Sequence, residues 1–188
     1  MFVFHYQILR STSNNNQGLL HEVKSGEHYQ GRLWGAFSGL FGPASNELLV
    51  VSALEDEAQA IASPAAVAQE IWQPTARPTD TEPCSEQGLY VFRRFIVPEQ
   101  HVDEVVALSK QAWETFEGSS DYAAEPQGLF CPSVDADGVV RMMLVTWYDG
   151  FDSWETSRQP APEARENFQR RHALTHSTYA VATRLVHS

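Results

Sequence analysis

Residues 35–56 can be laid over residues 128–149 without a gap, 93 positions further on, in a chain of 188. The identities are Gly35/Gly128, Phe37/Phe130 and Asp56/Asp149, and the apolar runs 48–53 and 142–147 coincide. Each run follows a turn signal and precedes a segment of helical pattern, so pattern more than identity says that one motif is used twice. Such a chain is expected to form two small halves that share one core, divided as 1–84 and 85–188.

The second half reads clearly. Residues 89–97 are β-branched and aromatic and stop at Pro98, a strand that meets a helix start. Val102, Val105, Val106, Ala112, Trp113 and Phe116 then fall on one helical face. A hairpin is expected from 128–134 and 139–147, reversing at Asp135-Ala136-Asp137-Gly138. A short helix over 151–158, a second over 163–176 and an alternating strand over 178–186 complete the order βαββαβ, the ferredoxin-like unit.

The first half repeats that order less regularly. Strands are expected over 2–9, 32–41 and 47–54, with a short helix over 19–30 and a helix over 55–72 interrupted at Pro64. Its fourth strand is degenerate: residues 75–82 lie between Pro74 and Pro83 and include Pro78, and proline donates nothing to a sheet ladder.

The run from Gly88 through Arg93, Phe95 and Pro98, followed by His101, Val102, Leu108 and Trp113, resembles the opening of NIPSNAP-like domains of the dimeric α/β-barrel superfamily. The segment ending in Trp147, Tyr148 and Asp149, with Arg158 downstream, is similar to that family's aromatic strand end, except that the Trp and Tyr are adjacent here. Adjacent strand residues face opposite ways. The resemblance covers 88–186 and reaches 2–80 through the internal repeat. It implies an α+β fold in which two ferredoxin-like units pack within one chain as a dimeric α/β barrel with antiparallel sheets. It further implies relatives that range from cofactor-independent monooxygenases to haem-binding and haem-degrading proteins and stress-response proteins, so fold alone does not select an activity.

Thirteen Lys and Arg against 24 Asp and Glu give a formal charge of −11, which repels phosphate backbones and anionic lipid. The apolar runs 48–54 and 142–148 are far below the roughly 20 residues of a membrane helix. Neither nucleic acid nor membrane is expected as a partner; a small-molecule ligand and further copies of the chain are. Cys84 and Cys131 sit in unlike contexts, without the spacing of a disulfide framework or metal cluster. Together with an N-terminus that reads as a strand and not as a leader, this points to the cytoplasm.

Arg93 shares a strand face with Val91 and Phe95, and a guanidinium on an apolar surface requires a partner. It is the candidate anchor for a carboxylate or phenolate in the barrel cavity, the alternative being an internal ion pair. Trp147 and Tyr148 are candidates to stack on a flat ligand at a barrel mouth. His5, on the first strand and able to face the same interior as Arg93, is the candidate proton acceptor. His172 and His176 are four apart at a helix end, but no third ligand accompanies them. With Arg170 and Arg171 they read more simply as cations favoured at a helix C-terminus, and no metal or other cofactor is expected. No phosphate loop or nucleophile signature appears. The leading expectation is a barrel that binds a small aromatic or apolar acid, with cofactor-independent oxidation or isomerisation as the chemistry. The alternatives are a non-catalytic interaction or stress-response module and, more weakly, a haem-binding protein.

Overall fold

The computed structural model describes residues 2–132 and 137–188. Eight strands and four helices appear among them in this order: β1 (Val3–Arg10), α1 (Gln17–Lys24), β2 (Arg32–Phe41), β3 (Glu47–Leu54), β4 (Ala66–Pro74), β5 (Leu89–Pro98), α2 (Val102–Phe116), β6 (Ala124–Pro132), β7 (Val139–Tyr148), α3 (Phe151–Thr156), α4 (Pro162–Ala173) and β8 (Ser177–His187). The strands close into one antiparallel barrel, β1-β3-β2-β8-β5-β7-β6-β4. Read from β4 and from β8, both halves run in the same order, fourth strand, first, third, second: the ferredoxin-like sheet. The halves join where β2 pairs with β8 and where β4 pairs with β6. This is the fold of a dimeric α/β barrel made within a single chain.

The inward face of every strand contributes to one apolar cluster. Phe4 and Tyr6, Trp34 and Phe37, Trp72, Tyr90 and Phe92, and Phe130 all belong to it. Their rings interlock, Tyr6 stacked on Trp72 at 4.4 Å and Phe4 edge-on to both Trp34 and Phe130. The middle of the barrel is therefore filled by its own aromatics, a packed core.

The repeated motif has a steric meaning. A Cβ on Gly35 would lie 2.5 Å from the Phe37 ring, and a Cβ on Gly128 would lie 2.4 Å from the Phe130 ring. In each half a glycine leaves room for the phenylalanine two residues on to fold back into the barrel. Each glycine also sits at a register irregularity of its hairpin.

The gapless overlay does not extend to the second strand of the hairpin. Gly35 stands opposite Val51, but Gly128 stands opposite Val145, so β3 and β7 correspond at a spacing one greater than β2 and β6 do. One extra residue in a strand exchanges its faces, and Asp56 and Asp149 are not equivalent. The expected reversal at Asp135-Ala136-Asp137-Gly138 includes residues 135 and 136, which lie outside the described residues, as does the end of the expected strand 128–134.

A second correction concerns residues 55–72. The expected helix is a single 3-10 turn at Glu57–Gln59, and the chain then enters β4, eight residues or more before the place expected for the fourth strand. Residues 75–82 are connector. Trp72 decides this: as part of β4 its side chain is fully buried in the barrel against Tyr6 and Phe130. A surface helix could not put it there. The first helix is also shorter than expected, since Gly26, His28 and Gly31 all adopt positive φ after Lys24.

Candidate functional site: an arginine-walled cavity between sheet and helices

On the outward face of the second half, α2 and α4 stand over β5 and β7. Val105, Leu108, Ala112, Trp113 and Phe116 of α2 bury toward the sheet, while α4 buries little except Ala164 and Arg171. The gap between α4 and the sheet is a half-open cavity of about 590 Å³, within the range of small-molecule sites. It lies between the sheet and its helices, outside the packed interior of the barrel.

One wall is apolar, made by Val91, Phe95, Trp113, Phe116, Leu144 and Phe168. The other is cationic. Arg93 and Arg171 face the cavity from sheet and helix, Arg158 and Arg165 stand exposed at its rim, and no aspartate or glutamate lines it among the described residues. Arg165 donates to the Pro160 carbonyl. Arg171 is 9% exposed, lies over the rings of Phe95 at 4.8 Å and Phe168 at 4.9 Å, and donates one hydrogen bond to the Ser109 hydroxyl. Arg93 has no hydrogen bond or ion pair among the described residues. Its sequence neighbour shows the contrast: Arg94 points into the barrel and pairs with Glu70 at 2.8 Å. The fold supplies a counter-charge for one arginine of the pair and withholds it from the other.

The electrostatics follow. Burial pulls the Arg171 guanidinium down to about 10, and the charge on Arg93 adds to that. Burial also lowers Arg93, with Arg158 acting in the same direction and Tyr148 against it. Both remain cations at neutral pH. Tyr148, buried in the same wall, has its phenol raised by burial, while Ser157 and the three arginines oppose the shift. Thr178 adds a buried hydroxyl with no partner among the described residues.

The structure thus brings Arg93 and Tyr148 together, and leaves Trp147 and His5 elsewhere. Trp147 points to the opposite face of β7, packs at the end of the barrel core and donates to the Gln87 carbonyl at 3.0 Å. His5 lies on the outward face of β1, fully buried, with Nε2 at 2.9 Å from the Gln69 side chain and Nδ1 unpartnered. Like Arg93 it faces outward, but from the other half of the barrel, and it does not line the cavity that holds Arg93. His172 reaches the cavity, but α4 ends at Ala173, so His176 lies beyond the helix and donates its backbone N–H to Ile96. No group of three or more potential metal-ligating side chains is gathered among the described residues.

Arg171 escaped the sequence reading, which took it for a helix-end cation. Its signal was present: Ala164, Phe168 and Arg171 are spaced four and three apart, one face of a helix, and that face is the one turned to the sheet.

No family model and no curated protein sequence matches the chain. Similar solved structures share its fold at low identity. An anthrone oxidase-like protein superposes with a TM-score of 0.64 at 15% identity, covering 99% of this chain and 92% of that one. A Lactobacillus acidophilus protein provisionally designated a monooxygenase gives 0.62 at 9% identity, covering 97% and 92%. A Listeria monocytogenes ferredoxin-fold protein related to antibiotic biosynthesis monooxygenases gives 0.55 at 7%, covering 100% and 97%. The chain therefore shares the ferredoxin-like, dimeric α/β-barrel fold with these proteins. No helix among the described residues is long and apolar enough to cross a membrane.

Proposed function

We propose that the chain binds a small aromatic or apolar acid in the cavity beneath α4, with Arg93 as its charge anchor. The observation that carries this reading is a pair of cavity-facing arginines, Arg93 and Arg171, with no carboxylate around them, in a chain whose acidic residues outnumber its basic ones 24 to 13. Buried cations normally come with partners. Here the partner is the ligand's carboxylate, and the apolar wall takes its frame.

Tyr148 and His172 are the groups in the cavity able to exchange a proton with such a ligand, and the monooxygenase-like neighbours support cofactor-independent oxidation, with dioxygen as oxidant, or isomerisation as its fate. The NIPSNAP-like resemblance of β5, α2 and β7 is part of the same proposal, as are the division at 84/85, an origin by tandem duplication and a cytoplasmic location. Both cysteines are unpaired, in keeping with that location. The close-packed barrel favours the interaction-module alternative only for the barrel interior, since the cavity lies outside it.

The test is calorimetry with benzoate on wild type and Arg93→Ala, with native mass spectrometry of freshly purified protein to reveal any retained acid. Arg93→Ala should lose binding and keep its fold by circular dichroism; unchanged affinity would remove the anchor role.

A further inference from the structure

We infer that the ligand is doubly anionic, with two negatively charged oxygens, on two carboxylates or on one phosphate, borne by an aromatic or apolar frame, one set against Arg93 and the other against Arg171. This rests on the proposed acid-binding site and specifies its ligand class. The unfilled donors of the two guanidinium groups carry it. A guanidinium has five N–H donors in a planar fork. In Arg171 the guanidinium carbon lies over the rings of Phe95 and Phe168, and one terminal nitrogen donates to Ser109. Its other N–H donors have no hydrogen-bond partner among the described residues. In Arg93 the whole fork is unengaged among the described residues.

The two forks come from different layers, Arg93 from β5 and Arg171 from α4, and Arg158 adds a third positive charge at the rim. A single carboxylate leaves at least one inner cation uncompensated. Two negative charges neutralise both, and charge-assisted bidentate pairs of this kind are strong because arginine matches carboxylate and phosphate geometry alike. The apolar wall facing them excludes a ligand that is charged all round: Val91, Phe95 and Leu144 offer it no hydrogen bond. The chemistry that fits is an aryl dicarboxylate or an aryl phosphate monoester.

The experiment is calorimetric titration of the full chain at pH 7.5 and fixed ionic strength with benzoate, the three benzenedicarboxylates, phenyl phosphate and inorganic phosphate. At least one aromatic dianion should bind about tenfold or more tightly than benzoate, the least expected of one added charge-assisted pair. Arg171→Met should erase that preference, costing the tighter dianion at least about tenfold more affinity than it costs benzoate, since methionine keeps contact with the rings. A dicarboxylate or the phosphate ester as the tighter binder identifies the source of the second charge. Equal affinity for benzoate and every dianion would overturn this inference and leave the acid-binding reading intact. Inorganic phosphate binding as tightly as phenyl phosphate would overturn the apolar frame. Failure of all the aromatic anions would overturn both readings.

Discussion

Removing the buried charge at position 171 should make the unliganded protein more stable. Burial chiefly holds the Arg171 guanidinium down to about 10, and a depression of that size from the ordinary arginine value is about 3 kcal/mol of preference against the charged form in the fold. Arg171→Met abolishes that cost. Against it stand one hydrogen bond to Ser109 and two ring contacts, together about 1–2 kcal/mol. Ser109 is not orphaned, because its hydroxyl donates to the Val105 carbonyl at 2.7 Å. The net expectation is stabilisation by about 1–2 kcal/mol, as for other buried charges replaced by apolar residues of similar volume, and a rise in Tm of about 2–8 °C for a chain of this length. The pH dependence fixes the cause. A base whose folded pKa is lowered binds fewer protons in the native state between that value and its ordinary one, so wild-type stability rises with pH through that window. The advantage of the variant should be constant from about pH 6 to 9 and narrow from about pH 10 upward. Urea unfolding of both proteins across this range reads it directly. A variant destabilised by 1 kcal/mol or more at pH 7 would refute the reasoning, because Arg171 would then be a net contributor to the fold and not a charge awaiting its counter-ion.

Other outcomes follow from the same geometry. Gly35→Ala and Gly128→Ala should each cost about 1–3 kcal/mol through overpacking against a buried ring, measured by urea midpoint, and Gly35→Ala should be partly rescued by Phe37→Leu; tolerance of both would remove the steric account of the repeat. Trp147→Phe should lose about 1 kcal/mol with its hydrogen bond to Gln87 yet leave ligand affinity unchanged, and a large affinity loss by calorimetry would restore the stacking role expected from the sequence. His5 is lowered mainly by burial, with Gln69 opposing, so the unfolded chain takes up its proton first. Stability should fall as pH drops below about 6.5 and level off below the folded value. A His5→Leu variant that keeps the full slope would place its origin in another group.

The second half was legible because several signals agree there: an apolar strand ended by proline, an amphipathic helix and an alternating last strand each point the same way. Residues 55–72 were misread because their alanines and glutamates favour helix locally, whereas closing the barrel requires a strand that pairs with both β1 and β6 and brings Trp72 inside. That requirement is not local. Arg93 was legible as a charge among apolar neighbours, and Tyr148 as an aromatic at a strand end. Which of two adjacent aromatics faces the cavity depends on strand register, so Trp147 and Tyr148 could not be separated by pattern alone. Arg171 was overlooked because a helix-end cation already had a sufficient explanation, although its spacing from Ala164 and Phe168 set it on the buried face.

Strand pairing explains why only one half carries this cavity. Aligning the two sheets by their registers sets Gln7 at the position of Arg93, Ser52 at that of Thr146 and Leu54 at that of Tyr148. In the first half no second helix stands over these positions. The loop that takes its place settles on the sheet, where the Ser63 backbone N–H donates to Gln7 Oε1 at 2.7 Å and Gln7 donates in turn to the His28 carbonyl. His28 binds the Ser63 hydroxyl through one ring nitrogen and the Glu22 carboxylate through the other, tying that loop to α1. A neutral side chain at position 7 allows this, since an amide both donates and accepts and so meets a descending backbone on equal terms. An arginine can only donate, and it brings a charge that a covering loop would have to desolvate. At position 93 the helix stands off from the sheet and the space above the guanidinium stays open. The exchange of glutamine for arginine at one strand position thus accompanies the difference between a filled layer and a cavity.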